Sequence, residues 1–223
     1  MPTLQPPVRR AILRACATTA LTMLVVVPTA VTAQRAAPPA GWTIRPDGNG
    51  SRAEVKAAEM KPGFHVTTGP AAILFDSAMR ARDDWRLEAT IHLFDPGARA
   101  EGFGVFFGGR DLNGATPHYA YALVRRDGKA LLKVREGATT RTVRDWAANG
   151  AIPLWKPGVP GASVKYDIVI ETSADRIAMS VGGTKVLDAA RSEMPTDGTV
   201  GLRVNHGLNL HIEKLAVSAV TRR

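Results

Sequence analysis

From 85 to 93 the chain reads Trp-Arg-Leu-Glu-Ala-Thr-Ile-His-Leu, so Trp85, Leu87, Ala89, Ile91 and Leu93 alternate with Arg86, Glu88, Thr90 and His92. A helix would scatter those apolar residues around its circumference, whereas a strand puts all five on one side. The same period of two returns at Tyr119, Tyr121 and Leu123, at Val164, Tyr166, Ile168 and Ile170, and at Ile177, Met179 and Val181. Asp127-Gly128, Gly182-Gly183, Asp197-Gly198 and Asn205-His206-Gly207 punctuate these stretches with residues that accept the backbone geometry of tight turns. Further strands are expected over 42–45, 52–57, 64–68, 71–75, 102–108, 130–136, 139–144, 184–187, 199–204 and 208–217. Residues 78–84 and 144–150 are expected as short helices or irregular loops, and 153–160 as loop. Many short strands with almost no helical periodicity predict an all-β antiparallel domain, closed or in two layers.

Residues 1–33 are of another kind. Arg9, Arg10 and Arg14 precede an apolar segment centred on Leu21–Val27, and Val31-Thr32-Ala33 follows. Basic start, short apolar core and small residues are the pattern of a signal peptide, here cleaved after Ala33. An uncleaved membrane anchor needs about 20 consecutive apolar residues, and Pro28, Thr29 and Thr32 interrupt the run. The Arg9-Arg10 pair also resembles a twin-arginine export signal. The expected organisation is therefore a leader over 1–33, a flexible linker over 34–41 with Pro38-Pro39, one β-domain over 42–218 and a tail over 219–223. A periplasmic or secreted location follows, without stable membrane insertion once the leader is removed.

Charge and cysteine content narrow the function classes. Setting aside the three leader arginines leaves 26 basic against 20 acidic residues, a balance of +6. That balance tilts the domain toward anionic partners. The cations stand singly among acids, with no nucleic-acid motif, so no nucleic-acid partner is expected. Cys16 is the only cysteine and lies in the leader, which leaves the domain without disulfides, thiolate metal sites or a cysteine nucleophile. No Gly-x-Ser-x-Gly elbow is present, and Gly102-Phe103-Gly104 lies in a strand context that cannot form a dinucleotide cradle.

The strand bearing Trp85-Arg86-Leu87-Glu88-Ala89, then Gly102-Phe103-Gly104-Val105-Phe106-Phe107, Tyr119-Ala120-Tyr121 and Val164–Glu171 follow one another in a distinctive order. Arg176–Val186 with its Gly-Gly turn and the ending Gly198-Thr199-Val200-Gly201-Leu202-Arg203-Val204 complete it. This succession resembles the concanavalin A-like lectin and glucanase superfamily, in particular its bacterial laminin-G-like and 3-keto-disaccharide hydrolase-like branches. The resemblance implies a two-sheet antiparallel jelly-roll sandwich whose concave face or rim loops bind carbohydrate. It also implies the departures that matter: the glucanase Glu-x-Asp-x-(x)-Glu run is missing, Arg86-Glu88-Thr90-His92 offers one carboxylate where glycoside hydrolysis uses two, and only Gly41-Trp42 remains of the keto-sugar hydrolase opening segment.

Period two also sorts candidate site residues. Arg86, Glu88, Thr90 and His92 are expected outward, as are Arg203 and Asn205, and Asn209, His211 and Glu213. They are expected either to share one outer face, a polar array suited to sugar hydroxyls, or to be an ordinary solvated surface. Tyr119 and Tyr121 share one strand face after Arg110-Asp111-Leu112-Asn113-Gly114-Ala115-Thr116-Pro117-His118, and each belongs either to a site or to a core. Expected ligand contacts are Arg110, Asn113, His118, Tyr119, Tyr121, Arg203, Asn205 and His206. Were the domain an enzyme, Glu88, His92 and His206 would carry proton transfer. The five histidines show no His-x-x-x-His spacing, so no metal centre is expected. Calcium, through Asp95, Asp111 or Asp127, stays open as a cofactor, though no calcium-loop motif is present. The leading expectation is a carbohydrate-binding, lectin-like domain for an oligosaccharide or polysaccharide, acidic ones included. A glycan or modified-disaccharide hydrolase and a non-catalytic envelope module are the alternatives.

Overall fold

The computed structural model describes residues 38–156, 158 and 161–220, besides residues 1 and 3. The rest of the expected leader and residues 34–37 of the expected linker lie outside the described residues. Two seven-stranded antiparallel sheets face one another. In spatial order the front sheet holds β1 (Trp42–Pro46), β4 (Ala72–Ala81), β13 (Gly198–Val204), β6 (Gly102–Arg110), β7 (His118–Arg125), β8 (Lys129–Glu136) and β9 (Thr139–Ala148). The back sheet holds β12 (Thr184–Ala190), β11 (Arg176–Val181), β10 (Val164–Thr172), β5 (Trp85–Leu93), β14 (Asn209–Ala219), β3 (Phe64–Thr67) and β2 (Lys56–Glu59). This is the expected two-sheet jelly-roll sandwich.

The core lies where the alternation points. Trp85, Leu87, Ala89, Ile91 and Leu93 are all buried between the sheets, against Phe103, Val105 and Phe107 of β6 and Leu202 of β13. Trp85 donates its indole N–H to the Thr196 carbonyl at 3.1 Å, which satisfies the polar atom that such a ring carries inward. The Gly182-Gly183 turn joins β11 to β12 with both residues at positive φ, 55° and 82°, a conformation glycine enters without steric cost.

Three expected elements differ. Residues 52–57 are no single strand: Ser51 Oγ accepts from the Ala53 N–H at 3.2 Å and starts a 3-10 turn, Arg52–Glu54, before β2. Residues 78–81 continue β4, and 144–148 continue β9, where a helix or loop was expected. Both continuations have mostly exposed side chains, so little burial pattern marks them in the sequence.

Candidate functional site

The middle of the front sheet is buried on both sides. Ile73, Phe75, Phe106, Tyr119, Tyr121, Leu123 and Leu131 alternate with core residues on the same strands and form a second apolar cluster, together with Leu112 of the β6–β7 connection. They therefore lie on the outer face of that sheet. Gly201 makes room for it: a Cβ there would stand 2.4 Å from the Leu74 carbonyl oxygen and 2.6 Å from the Phe106 ring.

A polar network adjoins this cluster. Arg203, on the interior strand β13, is 7% exposed and donates from Nη2 to Asp47 Oδ2 at 2.6 Å. Arg135 of β8 reaches the same oxygen at 3.1 Å. Arg203 Nη1 donates to the Tyr119 hydroxyl at 3.4 Å, and its guanidinium lies 5.6 Å from the centre of the Tyr121 ring. Tyr119 lies between Phe106 and Tyr121, tilted by 54° and 51° to their rings at centroid distances of 5.2 and 5.8 Å. These groups border a pocket of about 210 Å³, walled by Arg45, Pro46, Asp47, Gly48, Ile73, Tyr119, Arg135, Ala115, Pro117, Gly137 and Ala138. Arg45 Nη1 donates to the Leu112 carbonyl and so ties the β6–β7 connection to β1.

Electrostatics hold the network in one charge state. Burial would raise the Asp47 carboxyl, but hydrogen bonding and charge from Arg203, with help from Arg135, outweigh it and hold the group below the ordinary carboxylate range. Burial opposes the Arg203 charge, yet the Asp47 hydrogen bond prevails and raises its pKa above the ordinary arginine value. Burial also pushes the Tyr119 and Tyr121 phenols up, so both stay protonated donors. The arrangement can bind: it presents fixed donors, one fixed acceptor and an aromatic edge. It is poorly suited to acid–base hydrolysis, since Asp47 is the single carboxylate in the pocket wall and is held ionised.

Of the expected ligand contacts, Tyr119, Tyr121 and Arg203 come together here. Both tyrosines are core-like, at 1% and 7% exposure, and Tyr119 also reaches the pocket wall. Arg110 and His118 face each other in the β6–β7 ladder, and Asn113 lies in the connection; that connection contributes Ala115 and Pro117 to the wall instead. Asn205 follows β13 with a buried Oδ1 that has no partner among the described residues. His206 is exposed, with Nδ1 3.8 Å from Glu101 Oε2.

The expectation of one shared polar face is corrected. Arg203 belongs to the front sheet, whereas Arg86, Glu88, His92, Asn209, His211 and Glu213 lie on the outer face of the back sheet. Period two says which residues share a strand face, not which sheet receives the strand. The expected catalytic trio is likewise apart. Glu88 is engaged by Arg86 at 3.1 Å and Lys214 at 2.5 Å, His92 Nε2 meets Glu213 Oε2 at 2.7 Å, and His206 meets Glu101. Across β3, β14 and β5, His65, His211 and His92 stand directly opposite one another, with ring centroids 6.4 and 5.7 Å apart. Among the described residues no group of three His, Cys, Asp or Glu is placed to hold a metal ion, and no helix is long and apolar enough to cross a membrane.

Asp47, Arg135 and Arg45 are the site residues that sequence reasoning missed. A signal for Arg135 existed. The Asp127-Gly128 turn sets Arg125 opposite Lys129, and counting outward along the hairpin puts Arg135 opposite Tyr119. Nothing comparable marks Asp47, which reaches Arg203 across 156 residues of chain.

No protein-family model and no curated protein matches the sequence. Solved structures do match. A carbohydrate-binding module, CBM66 from Bacillus subtilis, is 17% identical with a TM-score of 0.59, over 80% of this chain and 96% of that one. A Bacillus subtilis protein of unknown function with a galectin-like fold is 11% identical with a TM-score of 0.58, over 82% and 90%. A Bacillus licheniformis beta-glucanase is 10% identical with a TM-score of 0.57, over 84% and 96%. At such identities the likeness is one of fold, and the fold is the concanavalin A-like jelly roll.

Proposed function

We propose that the chain is an exported carbohydrate-binding, lectin-like protein whose sugar site is the pocket beside Tyr119. The observation that carries this reading is the Asp47–Arg203–Arg135 network fixed against Tyr119 at the edge of a cavity about the size of one sugar ring. Sugar recognition uses rigid planar donors and acceptors for hydroxyls beside an apolar or aromatic surface. The likeness of fold to a carbohydrate-binding module and a beta-glucanase supports the same reading. Location in the periplasm or outside the cell is part of the proposal and rests on the leader pattern.

A second reading, hydrolysis of a glycan or modified disaccharide, has one observation in its favour: His92 and Glu213 form a hydrogen-bonded pair suited to proton transfer. One experiment separates the two. The full-length chain is titrated with a panel of oligosaccharides while heat and product masses are followed. Saturable heat with unchanged masses, lost in Ala138→Trp, which fills the pocket mouth from an exposed position, supports binding. A new product mass that disappears in His92→Gln transfers the function to the back sheet.

A further inference from the structure

The pocket wall has more positive than negative charge. Arg45 and Arg135 stand on it with Arg203 behind them, and Asp47 pairs with Arg135 and Arg203. Asp111 offsets Arg45 in part, though its carboxylate is turned toward the Thr116 N–H and hydroxyl, each at 2.8 Å. Among these groups one guanidinium charge is left over. Arg135 and Arg203 moreover share a single oxygen, Asp47 Oδ2, with side chains only 16% and 8% exposed. Two cations on one carboxylate oxygen, largely shielded from water, repel one another more than they would in solvent. Arg203 Nε adds a buried donor with no partner among the described residues. The fold has thus assembled a cavity whose wall carries net positive charge.

We infer that the pocket selects an acidic sugar, a uronate-type residue whose carboxylate lies against Arg135 while its hydroxyls meet Asp47 and Tyr119; this rests on the carbohydrate-binding reading above. A carboxylate is a planar, charge-matched acceptor for the Arg135 N–H groups left over by its bonds to the Gly137 carbonyl, 2.9 Å from Nε, and to Asp47. Gly48, Ala115, Gly137 and Ala138 are small and leave room for a ring, which Pro46, Ile73 and Pro117 would flank with apolar surface.

Calorimetric titration of the full-length chain with glucuronate and galacturonate, their methyl esters, a 6-sulfated hexose and acetate tests it. The free uronate is expected to bind at least about tenfold more tightly than its methyl ester, a difference of about 1.4 kcal/mol, with an advantage that shrinks as salt is added. Arg135→Gln should erase the advantage and Arg135→Lys restore part of it; if either melts early, Arg45→Gln serves the same purpose. Acid and ester binding alike would overturn the charge inference and leave the sugar site standing. Acetate binding as tightly as the uronate, or the sulfated sugar binding more tightly, would equally overturn it. Failure of every sugar, acidic and neutral, would remove the carbohydrate-binding reading itself.

Discussion

Arg203 and Asp47 are joined by a 2.6 Å hydrogen bond between an interior strand of the front sheet, β13, and the residue just after its edge strand β1. Removing the carboxylate strands a buried cation. Asp47→Ala is therefore expected to cost about 3 kcal/mol of unfolding free energy, and Asp47→Asn less. Because the folded carboxyl lies below its ordinary value of 3.8, its contribution is complete above that pH and is lost as pH falls through the folded value. Urea unfolding at pH 7 and pH 3 checks this: the gap between wild type and Asp47→Asn should narrow on acidification.

Tyr166 is fully buried in the core, edge-on to Phe103 at 5.0 Å, and its hydroxyl has no partner among the described residues. Desolvation raises its phenol pKa well above the ordinary range. Tyr166→Phe keeps the ring contact and removes an unsatisfied polar atom, so thermal unfolding should show equal stability or a gain of about 1 kcal/mol. A loss of that size would mean the hydroxyl has a partner after all.

His211, in the middle of the row formed with His65 and His92, makes the back sheet acid-sensitive. Burial, then the neighbouring His92 and His65, lower the His211 pKa below 6.5, against the opposing pull of Glu213 and the Pro62 carbonyl. Lys165 faces His92 from β10 and adds positive charge to the row. A depressed folded pKa means that stability is present above 6.5 and declines as pH falls below it. In unfolding measurements between pH 7 and 5, His211→Gln should flatten the slope relative to wild type. An unchanged slope would assign the titration elsewhere.

Gly201→Ala should destabilise by about 2 kcal/mol, since the new methyl group meets the Leu74 carbonyl and the Phe106 ring well inside contact distance. Phe106 underlies Tyr119. Sugar affinity should fall with the melting temperature, and a stable variant with unaltered binding would show the ring able to shift freely.

What could be read from the chain was local. Period two along 85–93 assigned every side chain of β5 to its correct face, because one face is buried and the other is not. The same logic is silent where no face is buried: β9 is an edge strand with largely exposed side chains, and its second half carries almost no alternation. It also fails where both faces are buried. Every residue of β13 is buried, so the sequence offers no contrast by which Arg203 announces itself as the centre of a network. Tyr119 and Tyr121 were recognisable as a pair on one strand face. Their partner Asp47 was not, since the contact depends on β13 having entered between β4 and β6.

That insertion makes the closure of both sheets depend on the last strands. In the front sheet the late strand β13 separates β4 from β6, and in the back sheet the final strand β14 separates β5 from β3. Without residues 198–219 each sheet would be two unjoined parts, with the Asp47 side of the pocket on one part and the Tyr119 and Arg135 side on the other. A chain that lacks those residues therefore has no pocket at all rather than a weaker one. Ligand binding becomes a certificate that the last strands have docked.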